Sequence, residues 1–332
     1  MPTQSNRFFA MKSKAILLCT TALFAFAGGT RAQEVARPKI LGISHVALAC
    51  ADVDASRAFY KGFLGFDEPY AANNPDGALN FVCIKINDLQ QIQLFPATAK
   101  DTSGNRVKHF ALITDNCEGM RLYLKSKGWK VPDKPVAVNS FGSSNMTVRD
   151  PDGHGIEFVE YAGDGWTLRD KGLHLPASRI SPRIRHIGFT VTDFEAALRF
   201  YKDVLGCTEI WRGSQNGKFL SYVNLRLPGC DEYLEFILYG GAEPAGKRLG
   251  SMNHICLEAA DVDGAYATLQ GRALPKGCAA MSAPKTGQDN KRQINCYDPD
   301  GTRVEIMSPE SVTGKPAPWT DAPAPAPDKL RR

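Results

Sequence analysis

Four histidines of this chain recur in one kind of place. Each sits inside a short apolar run: Ile43-Ser44-His45-Val46, Val107-Lys108-His109-Phe110, Ile184-Arg185-His186-Ile187 and Met252-Asn253-His254-Ile255. The chain has only six His, so four in one setting form a pattern. Each is followed, after 48, 48, 49 and 51 residues, by a polar residue in a second apolar run: Gln93, Glu157, Glu235 and Glu305. A lone His in a strand is ordinarily a satisfied core residue, and duplication by itself would copy one. The partner position argues for more, because a glutamate among large apolar neighbours is costly unless it is paired or bound to metal. Imidazole and carboxylate brought together suit zinc, nickel, cobalt, iron or manganese. All eight are therefore candidate metal ligands.

The other two histidines carry less. His154 falls in the turn Asp152-Gly153-His154-Gly155 and reads as a solvated turn residue, and His174 falls between the two halves of the chain. No CxxC or Cys/His zinc spacing is present.

Positioning two such residues on one concave face requires a sheet whose first and last strands face the same way, and the chain repeats such a unit four times. After each His run come acidic or capping residues and a helix-like segment. Asp52 or Asp54 can cap a helix that buries Phe59 and Phe63, four residues apart, and Asp193 can cap one carrying Leu198, Tyr201 and Leu205. The first and third units align without a gap: Phe59-Tyr60-Lys61 matches Phe200-Tyr201-Lys202, and Leu64-Gly65 matches Leu205-Gly206. Gly65 and Gly206 fall where a helix would end in a left-handed cap. Alternating segments follow at Leu79–Ile86, Gln91–Phe95, Leu220–Leu225 and Tyr233–Leu238. The second and fourth units share the turn Asp-Pro-Asp-Gly, at 150–153 and 298–301, leading into Ile156-Glu157-Phe158 and Val304-Glu305-Ile306. The expected fold is α+β, four βαβββ modules in two domains with curved mixed sheets, at 40–165 and 182–310. Residues 166–181 are a linker, and 313–332 a Pro/Ala-rich disordered tail. Modules are expected to pair within each domain, because consecutive elements usually pack as neighbours.

Residues 1–32 read as a signal peptide. Lys12 and Lys14 precede an apolar run from Ala15 to Ala27, and Thr30-Arg31-Ala32 offers small residues for cleavage after Ala32. That run is short of the roughly 20 residues needed to span a bilayer. The expected location is periplasmic or extracellular, with no membrane association once the leader is removed. The 40 Lys and Arg face 35 Asp and Glu, and four of the basic residues lie in the leader, so the remainder is nearly neutral. That gives a nucleic-acid partner no electrostatic support. Export permits disulfides, but Cys50, Cys83 and Cys256 lie in strand-like apolar runs where a free buried thiol is usual.

With the four histidines, the Phe-Tyr helix text and the Asp-Pro-Asp-Gly-x-x-x-Glu endings, residues 40 to 310 resemble the vicinal-oxygen-chelate superfamily: glyoxalase I, bleomycin-resistance proteins and extradiol dioxygenases. The resemblance implies a divalent metal and a small-molecule substrate. Glyoxalase I-like lyases use His or Gln, Glu, His and Glu across two modules, which the second domain matches with His186, Glu235, His254 and Glu305. The first domain offers His45, Gln93, His109 and Glu157. In that reading the metal polarises two substrate oxygens and holds an enediolate while Glu157 or Glu305 moves the proton. Extradiol dioxygenases would use His186, His254 and Glu305 for iron, but Asn295 stands where that family has Tyr, and no His lies between His254 and Glu305. A non-catalytic secreted binding protein is a third possibility on the same fold.

Overall fold

The computed structural model describes residues 35–239 and 244–326, without the side chain of Lys247. The expected signal peptide and the last six residues lie outside that range. Among the described residues, no helix is long and apolar enough to cross a membrane.

The chain opens with β1 (Ile40–Cys50), α1 (Val53–Arg57), β2 (Asp67–Asn73), β3 (Leu79–Lys85), β4 (Gln91–Pro96), β5 (Val107–Thr114), α2 (Cys117–Ser126), β6 (Ser143–Arg149), β7 (Gly155–Tyr161) and α3 (Trp166–Arg169). It continues with β8 (Ile184–Val191), α4 (Phe194–Leu198), β9 (Thr208–Gly213), β10 (Tyr222–Arg226), β11 (Tyr233–Leu238), α5 (Gly246–Met252), β12 (His254–Glu258), α6 (Val262–Gln270), β13 (Lys285–Thr286), β14 (Lys291–Tyr297) and β15 (Arg303–Ser311). These strands make two mixed sheets. The first runs β2-β3-β4-β1-β5-β7-β6 and the second β13-β14-β15-β12-β8-β11-β10-β9. Each sheet has the same centre. β1 is parallel to β4 and antiparallel to β5, which is parallel to β7; β8, β11, β12 and β15 repeat this. Modules therefore pair within each half of the chain.

The capping residues act as their types predict. Asp52 accepts from the backbone N–H of Asp54 and Ala55, and Asp193 from that of Ala196. Both helices then widen into one π-wound stretch, Ala58–Phe63 and Arg199–Val204. That wider turn buries Tyr60 beside Phe59 and Phe63, which a strict 3.6-residue period does not anticipate. Gly65 and Gly206 close these helices at φ +80° and +77°.

The second module departs from the expected βαβββ order. Its first hairpin strand is reduced to one bridge, Val138 to Ser144. Pro132 and Pro135 lie just upstream, and proline brings no N–H to a ladder. The segment between the halves is more than a spacer. Trp166 packs edge-on against Tyr70 and Phe141, with centroids 4.8 and 5.1 Å apart. Nor does the described part of the C-terminal tail run free. It is extended, but the Trp211 indole donates to the carbonyl of Pro318, Leu220 N–H to that of Pro323, and Thr320 N–H to that of Arg212. All eight cysteines of residues 35–332 are free thiols, and Cys50, Cys83 and Cys256 are buried.

Across the middle, the two halves share one core. Phe110 stacks on Phe189 at 5.2 Å, and Trp129 meets Phe200 at 4.5 Å. The Tyr60 hydroxyl donates to Asp298 at 3.1 Å and that of Tyr201 to Asp150 at 2.9 Å.

Candidate metal centres

Residues i and i+2 of a strand point to the same face. β1 places His45 opposite Gln91 and Ala47 opposite Gln93 on β4, while β5 presents His109 and β7 presents Glu157. His45, Gln93, His109 and Glu157 line one cavity of about 180 Å³. The Nε2 atoms of His45 and His109 are 3.1 Å apart, and His109 Nε2 is 3.2 Å from Glu157 Oε2. The other Glu157 oxygen accepts from the Asn145 amide at 3.0 Å. On the side of the ring away from the cluster, His45 Nδ1 is 2.9 Å from the Ser44 hydroxyl, which reaches the Tyr161 hydroxyl at 2.5 Å; Tyr161 in turn donates to the carbonyl of Leu89. Read from the histidine outwards, that relay keeps a proton on Nδ1 and leaves Nε2 bare, the tautomer a metal ligand requires.

The second half repeats the set with four ionisable donors. His186 on β8 and His254 on β12 bring their Nε2 atoms to 3.1 Å. Glu305 on β15 lies 3.3 Å from His186 Nε2 and 3.6 Å from His254 Nε2. Glu235 on β11 lies 3.4 Å from His254 Nε2 and 3.8 Å from His186 Nε2. The backbone must leave room for this: a methyl group on Gly188 would sit 1.9 Å from His254 Cε1.

Donors that share an ion about 2.1 Å away lie roughly 3.0–3.6 Å from one another. The spacings above match that in the first cluster and nearly all of the second. Burial also sets the protonation states, favouring metal binding at the imidazoles and opposing it at Glu157 and Glu235. It lowers His45 well below the ordinary imidazole range, His109 to about 4 and His186 to about 3, and it lowers His254, where the charge of Arg303 adds to the effect. Burial raises Glu157 to about 7 and raises Glu235, the latter helped by the charge of Glu305. Burial works against Glu305 too, but hydrogen bonds from His186 and His254 and the charge of Arg303 hold it ionised. Neutral imidazoles beside buried carboxylates fit a divalent cation.

All eight residues singled out in the sequence thus gather as two groups of four. Others at the site gave no such signal. Cys256, two residues after His254 on the same strand face, brings its thiol within 4.8 Å of His186 and Glu305 donor atoms. Tyr233 lies against the His186 ring at 4.6 Å, with its hydroxyl buried and unpartnered. The guanidinium of Arg303 reaches both ring nitrogens of His254, at 2.7 and 2.9 Å. Periodicity marks these positions only as strand residues, and nothing in their spacing separates them from ordinary core. His154 corrects the expectation of a solvated turn residue: its Nδ1 is 2.9 Å from buried Asp150, and its ring packs 5.1 Å from Phe189. His174 pairs with Asp67 at 2.8 Å, away from both clusters.

This doubled arrangement is that of a known family. The model of the Glyoxalase/Bleomycin resistance protein/Dioxygenase superfamily matches residues 42–158 and 183–306, and the chain belongs to that superfamily. Solved structures with the same fold include a Mn(II)-bound glyoxalase from Novosphingobium aromaticivorans, 21% identical with TM-score 0.61, covering 82% of this chain and 83% of that one. The 2,3-dioxygenase LapB from Pseudomonas sp. KL28 is 16% identical with TM-score 0.63, covering 86% and 99%. A catechol 2,3-dioxygenase is 16% identical with TM-score 0.59, covering 86% and 92%. No curated protein matches the sequence.

Proposed function

We propose that the chain is an exported, metal-dependent lyase or isomerase of the glyoxalase I type, acting on a small oxygen-rich substrate. The observation that carries this is the second cluster, where two imidazoles and two carboxylates, His186, Glu235, His254 and Glu305, meet within a few ångströms. A divalent ion held there would polarise adjacent substrate oxygens and acidify the carbon between them. The residues of the chain supply the proton transfer. Glu305 is oriented by both imidazoles, and Glu157 in the first cluster is oriented by Asn145. Either can take a proton from carbon and return it to the neighbouring atom.

The test is proton exchange. The mature protein is loaded separately with zinc, nickel, cobalt, iron or manganese and incubated in heavy water with 2-oxoaldehyde and α-hydroxyketone substrates. Metal-dependent loss of the α-proton NMR signal, reduced roughly 100-fold or more when Glu157→Gln and Glu305→Gln are combined, is the expected result. No exchange with any of the five metals would overturn the reading. Export is tested separately: N-terminal sequencing of the native product should begin near Gln33.

The subset His186, His254 and Glu305 also matches a two-His, one-carboxylate iron site, which supports extradiol cleavage as a second reading. Against it, β14 sets Asn295 opposite Glu305, where that chemistry calls for a tyrosine. With ferrous iron and simple catechols, the expectation is little or no yellow ring-fission product.

A further inference from the structure

The two cavities differ most at one position. β12 pairs His254 with Arg303 at the start of β15, and the matching residue before Glu157 in the first half is Gly155. A methyl group on Gly155 would already lie 2.9 Å from His109 Cβ, so the first site has no room for a side chain there. The second site carries the longest cation available. Arg303 lines the second cavity, of about 200 Å³, with Trp211, Tyr222, Glu235, Gln293 and Glu305.

Arg303 is short of partners. Among the described residues it forms no ion pair; its Nη2 lies against the His254 ring, and its Nε is buried with no hydrogen bond at all. The carboxylates of Glu235 and Glu305 face the imidazole nitrogens instead. Asp289, also on the cavity wall, has its oxygen turned to the backbone N–H of Lys291. A dication among the four donors would neutralise the two glutamates and repel the guanidinium. That leaves one forked cation facing the cavity, and a forked cation is matched by a carboxylate. The first cavity is walled by Tyr70, Phe81, Phe95 and Phe141, with no Lys or Arg among its described lining.

We infer that Arg303 recognises an anionic end of the substrate, so that the second cavity takes small chelating carboxylic acids while the first takes uncharged ones. This rests on the metal-site reading above. It is tested with two matched chelators, acetohydroxamate and succinate monohydroxamate, which differ by a terminal carboxylate. Their affinities for the second site of the zinc-loaded full chain are measured by calorimetry in His109→Ala, which silences the first site. The carboxylate form should bind on the order of tenfold more tightly. Adding Arg303→Gln should bring the ratio close to one, and Arg303→Lys should restore part of it, which separates charge recognition from misfolding. No preference before the Arg303 change, or one that survives Arg303→Gln, would overturn the inference. Zinc content is measured alongside. If no zinc is taken up, the metal reading fails alone, and the same ratio on metal-free protein still decides the role of Arg303.

Discussion

Tyr201, from the second half of the chain, gives its hydroxyl proton to Asp150 of the first half, whose side chain is entirely shielded from solvent. Tyr60 returns the contact to Asp298. Backbone follows the same crossing: Thr192 N–H meets Asp152, and Ala51 N–H meets Asp300. Each Asp-Pro-Asp-Gly turn is thus an anchor for the opposite half as well as a reversal before its own glutamate strand. Removing one phenol leaves a buried carboxylate short of a donor. Tyr201→Phe and Tyr60→Phe should each cost about 1–3 kcal/mol, measured by denaturant unfolding. A loss below about 0.5 kcal/mol would mean that the remaining donors suffice.

Stability without metal should depend on pH in a defined direction. Glu157, held at about 7, and Glu235, also raised, favour their protonated forms in the folded state. Their contribution is complete below the ordinary glutamate range and is lost as pH rises through about 7 for Glu157 and about 8 for Glu235. The histidines act oppositely: His109 at about 4 and His186 at about 3 contribute above the ordinary imidazole range, and that contribution is lost as pH falls through these values. The metal-free protein should therefore be most stable in mildly acidic solution and weaken towards pH 8, and metal should remove that alkaline loss. A thermal-melting series with and without zinc, showing parallel curves, would contradict this.

Acid should release metal through the buried carboxyl groups before it protonates the imidazoles, because Glu157 and Glu235 are both raised. The sequence alone points to release near pH 6 to 7, the range of an unperturbed histidine. Burial has moved His109 and His186 far below that, so proton competition at the imidazoles begins near pH 4. At the first cluster the limiting group is Glu157, which must lose its proton, and affinity there should rise through about pH 7. Equilibrium dialysis across pH 4 to 8 distinguishes the two behaviours.

The clusters should hold metal unequally. Gln93 leaves the first with one carboxylate, whereas Glu235 and Glu305 give the second two, which neutralise a dication better. Titration should show two affinities, with the weaker one lost in His109→Ala because His109 faces His45. Loss of the tighter site in that variant would contradict the pairing within halves.

Gly188→Ala offers a clean disruption. The added methyl would fall 1.9 Å from the His254 ring, forcing it out of the cluster. Metal content should drop by about one equivalent while the first cluster stays loaded, as read by elemental analysis.

The fold and the gathering of the eight polar residues were legible in the sequence because duplication wrote them four times. The His runs, the capping aspartates Asp52 and Asp193, and the glycines Gly65 and Gly206 each have a local physical cause that spacing reveals. What could not be read is what arises between distant segments. The Ser44–Tyr161 relay spans 117 residues and the Tyr60–Asp298 contact 238. The π-wound turns, Arg303 over His254, and Trp166 against Tyr70 likewise depend on packing that no period encodes.

The proline-rich tail also changes what the second sheet exposes. β9 is the last strand on that side, and an open strand edge is a template on which other chains can build. Residues 318–323 lie along it, taking up the Arg212 carbonyl and the Trp211 indole. Pro318 and Pro323 bring no N–H of their own, so each gives the edge only a carbonyl. The tail acts here as a terminator, and shortening the chain before Pro318 would uncover this edge of the sheet for association.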